Sequence, residues 1–183
     1  EWIEFDVEQK PGKDVTAGTR VARKHRLSLF VLLRAPGYDE EHAPGFLEAL
    51  KAGGIPLKGP ALVLGAGGAG RAVAFALREA GLEVWVWNRT PQRALALAEE
   101  FGLRAVPLEK AREARLLVNA TRVGLEDPSA SPLPAELLPE EGAVVDLVCR
   151  PLWTRFLREA QERGLKVQTG LPMLAWQGAL AFR

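Results

Sequence analysis

Hydrophobic positions along the chain form short runs that alternate with amphipathic segments from about residue 60 onward. The apolar runs, rich in Val and Leu, predict strands at 60–65, 82–88, 103–107, 115–120, 143–148 and 165–170. The segments between and after them predict helices at 71–80, 91–101, 108–114, 153–164 and 171–182. Short apolar strands that alternate with helices are typical of parallel strands buried on both faces. The pattern therefore predicts an α/β fold, a doubly wound Rossmann sheet of about six parallel strands.

Local signals place the ends of several elements. Gly81 and Gly164 follow predicted helices, at positions where left-handed backbone is needed. Thr90 and Pro91 open the helix 91–101, with Thr90 as the predicted cap and Pro91 in the first turn, where no backbone N–H is required. The proline-rich segment 129–142 is predicted to be a loop with one helical turn.

Residues 1–42 follow a different pattern. Ile3, Phe5 and Val7 alternate with polar residues, as in an exposed edge strand, and the five apolar residues 29–33 predict a strand covered on both faces. We expect a small β-rich N-terminal segment that docks on the rest of the chain or on a second copy, which would make a homodimer. The predicted domain division is therefore 1–42 and 43–183.

Composition limits the classes of protein that remain. With 183 residues, 48% hydrophobic and 26% charged, the chain is typical of a globular domain. The net charge of +1 argues against nucleic-acid binding, although residues 20–26 (RVARKHR) are basic. The sequence shows neither a membrane span nor a metal-binding cluster. The single cysteine, Cys149, excludes an intrachain disulfide and predicts a cytoplasmic protein.

A glycine motif lies between the first predicted strand and helix of the sheet. Gly65, Gly67 and Gly70 fit the spacing G-x-G-x-x-G. In this context the first glycine permits the turn, the second lets the backbone approach a pyrophosphate, and the third allows close packing. The N–H groups at the helix start then receive the anion. The predicted binding residues are Gly65, Ala66, Gly67, Gly68 and Ala69.

The end of the second strand indicates which dinucleotide binds. An acidic residue there would accept hydrogen bonds from a free 2′-hydroxyl and repel a 2′-phosphate, but this strand ends in Asn88, Arg89 and Thr90, with Arg93 one turn later. The arginine fork pairs with phosphate bidentately. Each charge-assisted hydrogen bond contributes about 1.5–3 kcal/mol, so two arginines could favour NADP over NAD by about a hundredfold. The predicted cofactor is NADP.

Together these motifs resemble a known family. GAGGAGRA (65–72), NRTPQRA (88–94), NATRVGL (119–125), D-L-V-x-R-P-L-x-T-x-F-L (146–157) and G-L-P-M-L-x-x-Q-G-A-x-A-F (170–182) resemble the nucleotide-binding half of shikimate dehydrogenases. The resemblance runs from about Ala43 to the last residue and does not include residues 1–42. It implies an NADP-dependent oxidoreductase of aromatic amino acid biosynthesis, which reduces 3-dehydroshikimate to shikimate.

The resemblance also implies further site residues. Those expected along the cofactor are Asn119, Ala120, Thr121, Leu147, Gly170 and Met173; those expected at the substrate are Gln177 and Cys149. The residues themselves leave alternatives open. The segment 119–121 could instead form an Asx turn, and Met173 could belong to the core. Asp146 could satisfy backbone donors or act in catalysis, and Cys149 could be a reactive thiol or a plain small residue.

The chain departs from the family's pattern at the catalytic residues. The lysine of N-x-T-x-P-x-K is absent, and Glu40, Glu41 and His42 stand where the family has N-T-D before APGF. No catalytic residue is therefore assigned. The first hypothesis is a truncated, engineered or chimeric protein that binds NADP(H) without turnover. A working dehydrogenase with substrate groups from the N-terminal segment or a second subunit remains open. So does a scaffold whose N-terminal segment binds a partner or nucleic acid.

Overall fold

The computed structural model describes residues 38–173, 175 and 176, with side chains from residue 45 onward. The predicted strands of the N-terminal segment and the predicted substrate residue Gln177 lie outside this range. The N-terminal segment therefore stays a prediction, as does any pairing of two copies through it.

Strands and helices alternate through the described residues. The strands are β1 (Ala61–Leu64), β2 (Val84–Trp87), β3 (Arg104–Ala105), β4 (Leu116–Asn119), β5 (Ala143–Asp146) and β6 (Lys166–Gln168). The α-helices are α1 (Tyr38–Ala52), α2 (Gly68–Glu79), α3 (Pro91–Phe101) and α4 (Arg155–Glu162). Two 3₁₀ helices cover Leu108–Glu113 and Ala135–Leu137, and residues 171–173 are helical.

The six strands form one parallel sheet in the order β3-β2-β1-β4-β5-β6. The chain builds outward from β1 in one direction and then, from β4, in the other. The topological switch point therefore lies between β1 and β4, and ligands of such sheets bind in the crevice beyond the carboxyl ends of these strands. The predicted fold class is confirmed.

The core has two layers because alternate residues of each strand point to opposite faces of the sheet. Ala61 and Val63 of β1 belong to one buried cluster, which includes Phe46 of α1 and side chains of α2. Leu62 and Leu64 belong to the other cluster, which includes Phe156 of α4. The strand is therefore covered on both faces, which explains its continuous apolar sequence.

Element ends differ from the sequence prediction in several places. Helix α2 begins at Gly68 rather than at residue 71, and the helix predicted at 108–114 is a 3₁₀ helix. Gly81 and Gly164 have φ of 83° and 79°, as predicted. Thr90 occupies the cap position of α3, but its side chain makes no capping hydrogen bond. Helix α1 begins at Tyr38, so it crosses the predicted division at residue 42.

Candidate cofactor-binding site

The glycine loop between β1 and α2 shows why each glycine is needed. Gly65 has φ of 110°, and its N–H donates to the Trp87 carbonyl at 2.8 Å. A Cβ on Gly70 would lie 1.9 Å from the Gly65 carbonyl oxygen, which is an overlap of hard atoms. A Cβ on Gly67 would meet nothing within 4 Å. Gly67 therefore lines open space, and Gly70 brings the helix close to the strand, as the motif predicts.

This open space lies at the start of a helix. Gly67 is the cap residue of α2, and as a glycine it has no side chain that could accept a hydrogen bond from the helix start. The first N–H groups of a helix have no partner within the helix and carry a partial positive charge. The loop thus combines unobstructed backbone with helix-start donors, and this combination fits a pyrophosphate.

Asn88, at the end of β2, joins two loops. Its Oδ1 accepts a hydrogen bond from the Ala66 N–H at 3.1 Å, and its Nδ2 donates to the Thr90 carbonyl at 2.9 Å. The sequence predicts Asn88 as a direct donor to the 2′-phosphate. In the structure its amide links the glycine loop to the loop that carries Arg89, and the contact with the 2′-phosphate stays a prediction.

The predicted arginine cluster and the glycine loop meet at an open pocket of about 290 Å³. It is lined by Ala66, Arg71, Arg93, Ala96, Leu97 and Glu100. Arg89, Thr90 and Arg93 are all exposed around the end of β2. The pocket therefore joins one residue of the predicted pyrophosphate loop to one of the two predicted phosphate-binding arginines. Sequence reasoning missed Arg71 and Glu100, although Arg71 directly follows the glycine motif.

The end of β4 lies on the other side of the glycine loop. Asn119 is fully buried, and its Oδ1 accepts hydrogen bonds from the N–H of Thr121 at 3.0 Å and from its hydroxyl at 2.6 Å. The sequence predicts that residues 119–121 either lie along the cofactor or form an Asx turn, and their hydrogen bonds are those of an Asx turn. The turn nevertheless borders the predicted site, because a Cβ on Gly65 would lie 3.1 Å from the Ala120 carbonyl.

Asp146, at the end of β5, is a buried carboxylate that accepts hydrogen bonds from three donors. Asn119 Nδ2 and the Val148 N–H donate to its Oδ1, each at 2.9 Å, and the Thr154 hydroxyl donates to its Oδ2 at 2.6 Å. Burial raises the pKa of Asp146 to about 6, although all three hydrogen bonds lower it. Thr154 also caps α4, accepting from the Leu157 N–H at 3.4 Å. Asp146 therefore ties the ends of β4 and β5 to the start of α4.

The remaining residues of the predicted nicotinamide side lie close together beyond β5. Leu147 and Met173 are buried in the core, with 1% and 2% of their surface exposed, which agrees with the core alternative for Met173. The contact of either residue with the cofactor stays a prediction. A Cβ on Gly170 would lie 2.8 Å from the Leu147 carbonyl oxygen and 2.9 Å from Cys149 Sγ. Burial, and then the charge of Asp146, raise the pKa of the Cys149 thiol to about 11. Cys149 is therefore not a reactive thiolate at neutral pH.

Two further classes of site do not occur within residues 38–173, 175 and 176. No group of three or more His, Cys, Asp or Glu side chains there could hold a metal ion. In the same residues, no helix has the length and apolar character needed to cross a membrane.

The strand order, the glycine loop at the switch point and the arginine-lined pocket at the end of β2 define a dinucleotide-binding domain of the Rossmann class. Residues 56–122 match the family model Shikimate / quinate 5-dehydrogenase. The resemblance to the nucleotide-binding half of this family, seen in the sequence, is thereby confirmed over part of the chain.

Individual relatives agree with the family match. The chain is 99% identical over 141 residues to a shikimate dehydrogenase (NADP(+)) of Thermus thermophilus, covering 77% of this chain and 54% of the relative. It is 41% identical over 153 residues to the Aquifex aeolicus enzyme, covering 82% and 56%. The chain spans about half the length of these curated relatives.

A solved structure agrees with the fold. Shikimate 5-dehydrogenase from a second strain of Thermus thermophilus, in complex with NADP(H) and shikimate, superposes with a TM-score of 0.77 at 94% identity. The match covers 78% of this chain and 55% of that structure. The Aquifex aeolicus shikimate dehydrogenase superposes with a TM-score of 0.70 at 41% identity, over the same share of this chain.

Proposed function

We propose that this chain binds NADP(H) through a shikimate dehydrogenase nucleotide domain and does not by itself turn over shikimate. The observation that carries the cofactor assignment is the pocket at the end of β2, where Ala66 of the glycine loop and Arg93 line one cavity. The relatives support the choice of NADP, because their names and the solved complex specify NADP(+) or NADP(H). The substrate class, 3-dehydroshikimate and shikimate, rests on the family resemblance.

The proposed contacts follow the geometry of the crevice. The pyrophosphate would lie against residues 65–69, where a Cβ on Gly67 meets open space. The 2′-phosphate would be held by Arg89, Arg93 and Thr90, while Asn88 fixes the loop beneath it. The side of the crevice beyond β4 and β5 would hold the nicotinamide, near Thr121 and Gly170. The chemistry that NADPH supplies when bound is hydride transfer.

The absence of turnover is proposed from the sequence. A carbonyl reduction coupled to hydride transfer needs a positioned proton donor, which contributes about 10²–10⁴ to the rate. The family's lysine and aspartate motifs do not occur in this sequence. Asp146 does not replace them, because its carboxylate is fully buried and both oxygens already accept hydrogen bonds.

The test of this proposal is a pair of measurements on one preparation. Fluorescence titration should show tighter binding of NADPH than of NADH, by about a hundredfold, and Arg89→Ala should remove most of that difference. Arg104→Ala is a matched control, because Arg104 is an exposed arginine that pairs with Glu83 just before β2 begins, whereas Arg89 follows the end of β2. Equal affinities for the two cofactors, or an unchanged ratio in Arg89→Ala, would refute the assignment.

The second measurement is shikimate-dependent reduction of NADP. We expect no turnover above background. A rate within tenfold of an ordinary enzyme, about 10 s⁻¹, would instead support a working dehydrogenase whose substrate groups come from the N-terminal segment or a second subunit.

The domain division at residue 42 is part of the proposal. It rests on the resemblance, because the motifs shared with the family begin at about Ala43. Because α1 begins at Tyr38, the test is a variant that starts at residue 38. We expect it to bind NADPH as the full chain does. Loss of binding would show that the N-terminal segment belongs to the site.

A further inference from the structure

The pocket at the end of β2 is lined by an ion pair that joins two helices. Arg71 of α2 and Glu100 of α3 form a bidentate pair, in which Nη1 donates to Oε2 and Nη2 donates to Oε1. The Arg71 guanidinium also lies over the Phe101 ring, with its Cζ 4.7 Å from the ring centroid. Both partners line the same pocket as Arg93. Two cationic side chains and one carboxylate therefore surround this cavity.

The carboxylate has a consequence for an anion that enters the pocket. Hydrogen bonds from Arg71 hold the pKa of Glu100 below its usual range, so Glu100 is ionised at neutral pH. A negative charge in the wall of the cavity repels an incoming phosphate, whereas Arg93 attracts it. Arg71 opposes the effect of Glu100 because it holds an equal and opposite charge directly against the carboxylate.

We propose that Glu100 is a specificity-determining residue of the cofactor site: its carboxylate, held and largely neutralised by Arg71, lowers the preference for NADP that Arg89 and Arg93 create. This inference rests on the proposed function, because it places the 2′-phosphate in this pocket. It assigns Glu100 and Arg71 opposite effects on the binding of NADPH. Their effects on the binding of NADH should be much smaller, because NADH lacks the 2′-phosphate.

The test is a set of three variants titrated with NADPH and NADH at low ionic strength. A unit charge within about one Debye length of a doubly charged phosphate should change its affinity by about threefold to tenfold. Glu100→Gln should therefore raise the NADPH/NADH affinity ratio by that factor, and Arg71→Met should lower it. The double variant should return to within about twofold of the original protein, because it removes both charges.

Glu99→Gln is the matched control, since Glu99 is exposed on the same helix and is not among the residues that line the pocket. It should change the ratio by a clearly smaller factor than Glu100→Gln, because its carboxylate lies outside the pocket. The effects of the other variants should shrink in concentrated salt, because the site is open to solvent.

Three results would overturn the inference. The first is an unchanged ratio in Glu100→Gln. The second is a double variant as weak as Arg71→Met, which would mean that Arg71 contacts the phosphate directly. The third is a salt-independent effect. Arg89→Ala, measured in parallel, separates these outcomes from failure of the proposed function: if it abolishes the NADP preference while Glu100→Gln changes nothing, only the present inference fails.

Discussion

Replacing Asp146 by Asn should change how the stability of the protein depends on pH. The Asp146 carboxylate is fully buried at the end of β5, where Asn119, the Val148 N–H and Thr154 donate to it. An asparagine has almost the same shape and keeps one acceptor oxygen, but it cannot ionise. The substitution therefore isolates the free energy of holding a negative charge at this position.

The sign and size of the effect follow from the pKa. Burial raises the pKa of Asp146 from 3.8 to about 6 in the folded protein. Between these two values the folded state binds a proton that the unfolded state does not, so stability from this group rises as the pH falls and is lost as the pH rises through 6. A pKa shift of this size makes the free energy of unfolding about 3 kcal/mol larger at the acid limit than at alkaline pH. About 1.3 kcal/mol of that change falls between pH 7 and pH 5.

The assay is urea unfolding of the protein and of Asp146→Asn at pH 7, 6 and 5. The free energy of unfolding of Asp146→Asn minus that of the original protein should decrease by about 1.3 kcal/mol from pH 7 to pH 5. The two histidines of the sequence are present in both proteins, so the difference cancels their titration. Cys149 does not contribute, because its pKa of about 11 lies outside the range.

Asp127→Asn is the control. Hydrogen bonds from Ser129 lower the pKa of Asp127, so any stability from this group is lost only at more acidic pH. Its difference from the original protein should stay constant between pH 7 and pH 5. The argument that desolvation outweighs the three hydrogen bonds would be refuted if the free energy of unfolding of Asp146→Asn minus that of the original protein stayed constant or increased as the pH fell.

Two further predictions concern backbone geometry and helix capping. Gly70→Ala should destabilise the fold by several kcal/mol in urea unfolding, because its Cβ would lie 1.9 Å from the Gly65 carbonyl oxygen. Gly67→Ala should leave the free energy of unfolding within about 1 kcal/mol of the original but weaken NADPH binding. Equal stabilities of the two variants would contradict this prediction. Thr154→Ala should lower the free energy of unfolding by about 1–2 kcal/mol. Thr90→Ala should lower it less, because Thr154 makes a capping hydrogen bond and Thr90 does not. Equal losses would contradict the assignment of caps.

The sequence predicted the central strands well because β1, β2, β4 and β5 consist mainly of apolar residues covered on both faces. Helix α3 was predicted to the residue, since Pro91 and Gly102 mark its ends. The predicted bounds were less accurate where local signals are weak. Strand β3 has only two residues, Arg104 and Ala105, neither of them buried, and it is defined by pairing with β2 rather than by its own pattern.

The contacts that shape the site could not be predicted in the same way, because they depend on the register between strands. Asn119 and Asp146 are 27 residues apart in the chain, yet the pairing of β4 with β5 places them side by side. A signal was available: both are polar residues at the last position of an otherwise apolar strand. Arg71 and Glu100 carry no such signal, because helix packing alone brings them together.

The same register explains how the crevice is held open on both sides of the switch point. On one side, Asn88 links the end of β2 to the loop after β1 through the Ala66 N–H. On the other, Asn119 and Asp146 link the ends of β4 and β5. Between them, the Ala120 N–H donates to the Leu64 carbonyl at 2.9 Å. These hydrogen bonds join β2, β1, β4 and β5 around the proposed pyrophosphate site. We therefore expect binding to lose little entropy to loop ordering, because the protein's own contacts already hold this backbone.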